Sequence, residues 1–96
     1  MQIPTHSKPK TTFYRRLYIA YLIDIGVNTI PLIMERTGMP RRTVQDVIFA
    51  LAEMDIKCEF QGATKNGHYV ITDWAAISRE WTEKNLQYIV DVLEIQ

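Results

Sequence analysis

The chain has 96 residues, the length of a single domain. Its 11 basic and 11 acidic residues give a net charge of zero, which argues mildly against a strong nucleic-acid binder. The single cysteine, Cys58, excludes an internal disulfide and a thiolate metal cluster. The sequence contains neither a signal peptide nor the roughly 20 consecutive apolar residues that span a membrane, so we expect a cytoplasmic protein without a membrane partner.

The charges are distributed unevenly along the chain. Residues 1–48 contain seven basic and three acidic residues, a net charge of +4. Residues 49–96 contain four basic and eight acidic residues, a net charge of −4. The N-terminal half can therefore present a positive face although the whole molecule is neutral.

The N-terminal segment is polar. Residues 1–10 contain two prolines and show no hydrophobic periodicity, which predicts a disordered arm. One folded domain is then expected over residues 11–96. Its first helix is predicted over residues 11–25, with Thr11 or Thr12 as the N-terminal cap.

The first predicted helix contains a stretch, residues 17–23, that is apolar on nearly every side. A helix of this kind is usually buried on two sides. In a chain this small, we expect another subunit to cover the second side.

Two further helices with a tight turn between them are predicted in the middle of the chain. Asn28 or Thr29 is suited to cap the first of them, and Pro31 fits its first turn, where an N–H is not needed. Gly38 follows at the position where a helix end takes the left-handed conformation. The second helix covers about residues 40–54, and four apolar residues at helical spacing anchor it to the core: Val44, Val47, Ile48 and Leu51.

The hydrophobic pattern then changes to a period of two. Residues 56–61 alternate between apolar and polar, and residues 68–72 form a second run rich in β-formers, so both are predicted to be strands. Asn66-Gly67 between them is a strong signal for a two-residue hairpin turn. We therefore expect a two-stranded hairpin, with the wing near residues 62–68 and its tip at about residues 65–68.

A C-terminal helix is predicted over about residues 73–94, with Thr72 or Asp73 as its cap and a candidate break at residues 84–85. One face of this helix is largely aromatic. The residues predicted to line that face are Trp74, Ile77, Trp81, Tyr88 and Val92.

The order of these elements resembles a bacterial winged helix-turn-helix DNA-binding domain of the small transcriptional-regulator-like kind. Gly38 stands where such motifs place their turn glycine, and Ile33 and Met39 are apolar on either side of it. Met34 departs from the motif, which usually holds a small residue there. The resemblance implies an α+β, mainly helical fold: a three-helix bundle, a two-stranded β-hairpin wing and a C-terminal helix.

The resemblance also implies that the second helix of the motif enters the major groove of double-stranded DNA. Two arginines at a helix start are unfavourable because of the helix dipole, which hints at an anionic partner. For each of these basic residues the alternative to a DNA contact is an ordinary solvent-exposed side chain. Asp46 is as suited to an ion pair with Arg41 or Arg42 as to a contact with a base. The candidate DNA contacts are Arg41, Arg42, Thr43, Gln45 and Asp46 on the recognition helix, Lys65 and Asn66 on the wing, and Arg15 and Arg16 on the first helix.

The aromatic residues of the first and last helices predict a homodimer interface rather than a ligand cage. The residues assigned to it are Tyr14, Tyr18, Trp81 and Tyr88. No phosphate loop, dinucleotide fingerprint or metal-ligand spacing occurs in the sequence, so we expect no enzymatic activity, no cofactor and no small-molecule ligand. Two functional hypotheses follow: a dimeric, sequence-specific transcriptional regulator, and a winged-helix protein-interaction module without DNA binding, which the zero net charge favours.

Overall fold

Five helices and one two-stranded antiparallel sheet form the structure, a computed structural model that describes residues 6–95. A short 3-10 turn, Ala52–Met54, continues the third helix. This is the predicted mainly helical α+β winged helix-turn-helix fold. The elements in chain order are α1 (Lys8–Asp24), α2 (Ile30–Thr37), α3 (Arg41–Leu51), β1 (Lys57–Gln61), β2 (His68–Asp73), α4 (Arg79–Lys84) and α5 (Leu86–Leu93).

The first helix begins earlier than predicted. Ser7, rather than either of the two threonines, is the N-terminal cap, and its hydroxyl oxygen accepts a hydrogen bond from the N–H of Lys10 at 3.2 Å. A proline in the first helical turn is tolerated because its missing N–H has no helical partner there. Residues 8–10 of the predicted disordered arm are therefore helical, and residues 1–5 of that arm lie outside the described residues.

Both sides of α1 are covered within the chain. All the side chains of residues 17–23 are buried. Ile19 and Ile23 pack into a core with α2 and α3, whereas on the other side Leu22 packs against Ile89 of α5. The expectation that another subunit covers the second side of α1 is wrong, because α5 supplies the apolar surface.

Thr29, Pro31 and Gly38 delimit α2 as predicted. The Thr29 hydroxyl oxygen accepts a hydrogen bond from the N–H of Leu32 at 3.3 Å, and the proline lies in the first turn. Gly38 ends the helix in the left-handed conformation, with φ of 75°, and its N–H donates to the Met34 carbonyl oxygen at 2.8 Å. This change of direction sets the start of α3.

The wing is the hairpin of β1 and β2, and its loop lies in the predicted region. The loop covers residues 62–67, and within it the N–H of Asn66 donates to the carbonyl oxygen of Ala63 at 3.1 Å. Gly62 takes the positive φ, 92°, whereas Gly67 does not have a positive φ. The predicted hairpin is therefore confirmed, although Asn66-Gly67 does not form a two-residue turn and His68, predicted at the tip, is the first residue of β2.

The predicted C-terminal helix begins later and is divided in two. The Asp73 side chain accepts a hydrogen bond from the N–H of Ala75 at 2.7 Å, and Ala75 has φ of 54°, which is incompatible with a helix. The Ser78 hydroxyl oxygen instead caps α4 by accepting from the N–H of Trp81 at 3.0 Å. The break predicted at residues 84–85 is confirmed, since Asn85 separates α4 from α5.

The division changes which side chains of the last two helices face inward. Thr82 and Ile89 have no exposed surface, and Val92 is also buried. Trp81 and Tyr88, predicted on the same face as Val92, are each 43% exposed. The prediction of one continuous helix placed Trp81 and Tyr88 on the wrong face. The non-helical turn after Asp73 and the break at Asn85 both change the direction in which the later side chains point.

Candidate nucleic-acid interface

The outward face of α3 carries the polar residues predicted for it. Val44, Val47 and Leu51 are at most 8% exposed, and they fix the rotation of the helix against the core. Thr43 is half-buried at the edge of the outward face. Five exposed side chains make up that face: Arg41, Arg42, Gln45, Asp46 and Phe49.

Arg41 and Arg42 lie at the positive end of the α3 dipole without a neutralising group. Pro40 is the N-terminal cap residue and makes no side-chain cap hydrogen bond, and the first turn contains no acidic residue. Neither arginine forms an ion pair with another described residue, Asp46 included. The unsatisfied N–H groups and the two guanidinium groups therefore favour an anion at this end of α3.

Arg15 and Arg16 of α1 face the same region. They line one wall of a shallow cleft of about 280 Å³ whose other wall includes Thr43 and Asp46 of α3. Both arginine side chains are half-buried. The structure thus brings these two predicted contacts beside the outward face of α3, where they extend the positive surface.

A backbone hydrogen bond holds the wing against the helix-turn-helix. The N–H of Tyr69 on β2 donates to the carbonyl oxygen of Asn28, just before α2, at 2.8 Å. At the far end of the hairpin, Lys65 and Asn66 are exposed in the loop. Lys65 is the only basic residue within residues 62–67, so the wing tip offers one ionic contact.

Cys58 on β1 is a half-buried thiol. Burial, assisted by the Glu59 carboxylate, raises the pKa of this thiol to about 11, so it is protonated and unreactive at neutral pH. Within residues 6–95, no group of three or more His, Cys, Asp and Glu side chains is arranged to hold a metal ion. In the same part of the chain, every helix is too short or too polar to cross a bilayer.

A second surface is aromatic. The ring centroid of Tyr14 on α1 lies 6.2 Å from that of Trp81 and 5.9 Å from that of Tyr88. Phe13 extends this group, and its ring centroid is 6.1 Å from that of Tyr14. These four residues are the aromatic patch. The Lys10 ammonium donates to the Tyr88 hydroxyl oxygen at 2.6 Å at its edge.

Tyr18, predicted in the same interface, does not lie on this patch. It is 6% exposed and packs with Leu17, Leu22 and Ile89 inside the chain. A mainly apolar cleft of about 360 Å³ adjoins the patch between α1 and residues 76–82. The aromatic patch therefore borders a groove on the α4 side of α1, whereas Arg15 and Arg16 of α1 face α3.

Thr37 was given no role from the sequence, yet it organises the turn. It is 9% exposed, and its hydroxyl donates to the Ile33 carbonyl oxygen at 2.8 Å and accepts from the N–H of Met39 at 3.1 Å. The sequence feature that indicates this role is a threonine directly before the turn glycine, because a threonine hydroxyl can bond to nearby backbone groups. Phe49 on α3 is 78% exposed and so lies outside the core.

Comparison with known proteins identifies the fold. A family model described as winged helix-turn helix matches residues 8–93. The chain belongs to this family. A similar solved structure is that of a DUF2131 family protein from Shewanella amazonensis SB2B, with a TM-score of 0.89 and 33% sequence identity over 96% of this chain and 92% of that chain. No curated protein matches the chain. The winged helix-turn-helix is a DNA-binding fold in general, and α3 is the second helix of the helix-turn-helix motif in this chain.

Proposed function

We propose that the protein is a sequence-specific DNA-binding transcriptional regulator that acts in the bacterial cytoplasm, with α3 in the major groove. The observation that carries the proposal is the pair of exposed guanidinium groups, Arg41 and Arg42, without acidic partners at the start of α3. An α-helix fits the major groove, and an arginine there binds guanine O6 and N7 with two hydrogen bonds. A DNA partner compensates for the unfavourable position of these cations in the free protein.

Each side chain on the outward face of α3 has a chemistry that suits a base edge or a phosphate. Arg42 binds guanine, Gln45 binds adenine N6 and N7, and Asp46 accepts a hydrogen bond from the cytosine amino group. Thr43, at the edge of the face, reaches a phosphate or a thymine methyl group. Such polar pairs discriminate between bases by about 1–3 kcal/mol each.

Phosphate contacts come from the elements beside α3. Arg15 and Arg16 lie across the cleft from Thr43 and extend the positive surface toward one strand of the duplex. Lys65 and Asn66 at the wing tip reach the flanking backbone. Such contacts hold the protein in register on the duplex, and sequence is read by α3.

The proposal includes a homodimer that joins through the aromatic patch. One protomer has a net charge of zero and few cations near α3, which limits the electrostatic affinity of a single copy. Two copies double the number of Arg41 and Arg42 side chains on one duplex and read a pseudo-palindromic site. Phe13 and Tyr14 lie toward α4 whereas Arg15 and Arg16 lie toward α3, so the dimer leaves the proposed DNA-binding face open.

The test measures the affinity of the wild type and of Arg41→Ala/Arg42→Ala for duplex DNA across a salt series. The wild-type affinity is expected to fall steeply with salt. The double variant is expected to lose affinity, and the steepness of the plot of log affinity against log salt is expected to decrease by up to about two for each bound protomer. Both arginines are exposed, so thermal unfolding should show that the variant keeps its fold.

The charge-matched control is Lys57→Ala/Lys84→Ala, which removes two exposed cations from the base of the hairpin and from α4. It should retain the wild-type affinity and slope. If the wild type has no salt-sensitive affinity for duplex DNA, the second hypothesis, a winged-helix protein-interaction module without DNA binding, replaces the proposal. If both double variants lose affinity equally, α3 is not the DNA-binding element.

A further inference from the structure

Phe49 lies on the same surface as the proposed base contacts. At 78% exposure it is the most exposed of the large hydrophobic residues that the structure describes. Helical neighbours recur every three or four residues, so Arg42, Gln45, Asp46 and Phe49 form one stripe along α3. A side chain in this stripe faces whatever α3 docks against.

The charges around Phe49 indicate which part of a duplex it meets. Asp46 precedes it by three residues and Glu53 follows it by four, and both are exposed. Neither carboxylate forms an ion pair with another described residue. Carboxylates are repelled by phosphates but can accept a hydrogen bond from the amino group of a cytosine, so this end of the stripe is suited to base edges rather than to the backbone.

We infer that Phe49 is a specificity-determining residue that packs on the 5-methyl group of a thymine. The inference rests on the proposed function, because it requires α3 in the major groove. The thymine methyl is the apolar group that the major groove displays, and a phenyl ring is an apolar partner for it. With a rise of about 1.5 Å per residue, Phe49 lies seven residues after Arg42 and about 10 Å along the helix, roughly three base-pair steps. The required thymine is therefore about three base pairs from the guanine that Arg42 contacts.

The test begins with selection from a random-sequence duplex library by the wild type, Phe49→Ala and the control Ile25→Ala. Ile25 is also an exposed apolar residue, at 46%, but it lies at the end of α1. The wild type and the control should enrich one common motif with a fixed thymine. Phe49→Ala should enrich the same motif with that position degenerate.

Deoxyuridine then isolates the methyl group, because it differs from thymidine by that group alone. In the enriched duplex, deoxyuridine at the fixed position should weaken wild-type binding about threefold to fivefold, the effect of one buried methyl group. Phe49→Ala should bind the two duplexes equally. An equal loss for both proteins, or an unchanged motif with Phe49→Ala, overturns the inference and leaves the proposed function standing.

Two other outcomes have distinct meanings. If the wild type enriches no motif, the proposed function fails, and the role of Phe49 fails with it. If Phe49→Ala binds DNA like the wild type and converts a dimer to a monomer, Phe49 lies in a protein interface, and the thymine contact is overturned. The oligomeric state of Phe49→Ala is therefore measured by sedimentation equilibrium in the same buffer.

Discussion

The hydroxyl oxygen of Thr37 accepts a hydrogen bond from the backbone N–H of Met39 at 3.1 Å, inside the turn that joins α2 to α3. The same hydroxyl donates to the Ile33 carbonyl oxygen one helical turn earlier. Thr37 is buried, so water cannot replace it as the partner of that N–H without a rearrangement. One side chain thus ties the end of the first helix of the motif to the start of the second.

Thr37→Val is expected to destabilise the protein by about 2 kcal/mol, because the new side chain fills the same volume but leaves the Met39 N–H without its partner. Urea unfolding followed by circular dichroism measures the change. Thr72→Val is the matched control. Its hydroxyl is exposed on β2 at a long 3.4 Å from the Lys57 carbonyl oxygen, so the loss should be well below 1 kcal/mol. Equal losses in the two variants would show that the turn does not depend on Thr37.

The features that the sequence predicts correctly are local ones. The bounds of α2 follow from Thr29, Pro31 and Gly38, each of which acts within one helical turn of its own position. The rotation of α3 follows from the spacing of Val44, Val47 and their neighbours, so the outward face with its two arginines was predictable. The docking of this face on DNA is a proposal from the same residues.

The features that the sequence predicts wrongly depend on competition between local structures or on distant packing. Asp73 was a good helix cap by type, but its side chain closes a turn on Ala75, so the helix begins at Arg79. The packing of α5 against α1 joins residues about 70 positions apart, and no periodicity within α1 reveals it. Tyr18 was assigned to an intersubunit interface for that reason, and it is buried by α5 instead.

Gly67→Ala is expected to destabilise the wing by about 2 kcal/mol through overpacking. A Cβ at this position would lie 2.6 Å from the Ala63 carbonyl oxygen and 2.3 Å from the Phe60 ring. The glycine is therefore needed for the close approach of the loop to itself, not for a positive φ. Thermal and urea unfolding measure the change.

Two further variants separate the two contacts that a methyl group at position 67 would make, with the Phe60 ring and with the Ala63 carbonyl oxygen. Phe60→Ala removes the ring but not the Ala63 carbonyl group, so Phe60→Ala/Gly67→Ala should recover only part of the stability lost through Gly67→Ala, measured relative to Phe60→Ala alone. Full recovery would assign the whole effect to the ring. Unchanged stability of Gly67→Ala itself would show that the loop opens without cost.

Cys58 is expected to react with a thiol reagent at about pH 8 some tenfold to a hundredfold more slowly in the folded chain than in the urea-unfolded chain. The raised pKa of the folded thiol, about 11, leaves little thiolate at that pH, and burial limits access as well. Colorimetric titration with an aromatic disulfide gives both rates. Similar rates in the two states would contradict the burial of this thiol.

The same pKa shift makes stability depend on pH in a defined direction. The folded thiol holds its proton more tightly than the unfolded thiol, so its contribution is complete below about pH 8.5 and is lost as the pH rises toward about 11. The wild type should therefore lose more stability than Cys58→Ala between about pH 8 and about pH 10. Parallel pH profiles would show that Cys58 does not contribute to the loss.

Trp81→Ala is expected to weaken a homodimer on the order of a thousandfold, because a symmetric dimer loses one large aromatic anchor of about 2 kcal/mol from each protomer. Trp81 is 43% exposed next to Tyr14, and burial of this surface against a second copy is the stabilisation that the proposed dimer requires. Sedimentation equilibrium at micromolar concentration measures the change. Phe49→Ala is the control, because it removes a more exposed ring from the α3 face and should leave the dimer unchanged. A wild type that sediments as a monomer would contradict the dimer.

A dimeric wild type that Trp81→Ala leaves intact would place the interface elsewhere. If the dimer is required for DNA binding, Trp81→Ala should also lose affinity for a two-half-site duplex while it retains the weaker binding to a single half-site.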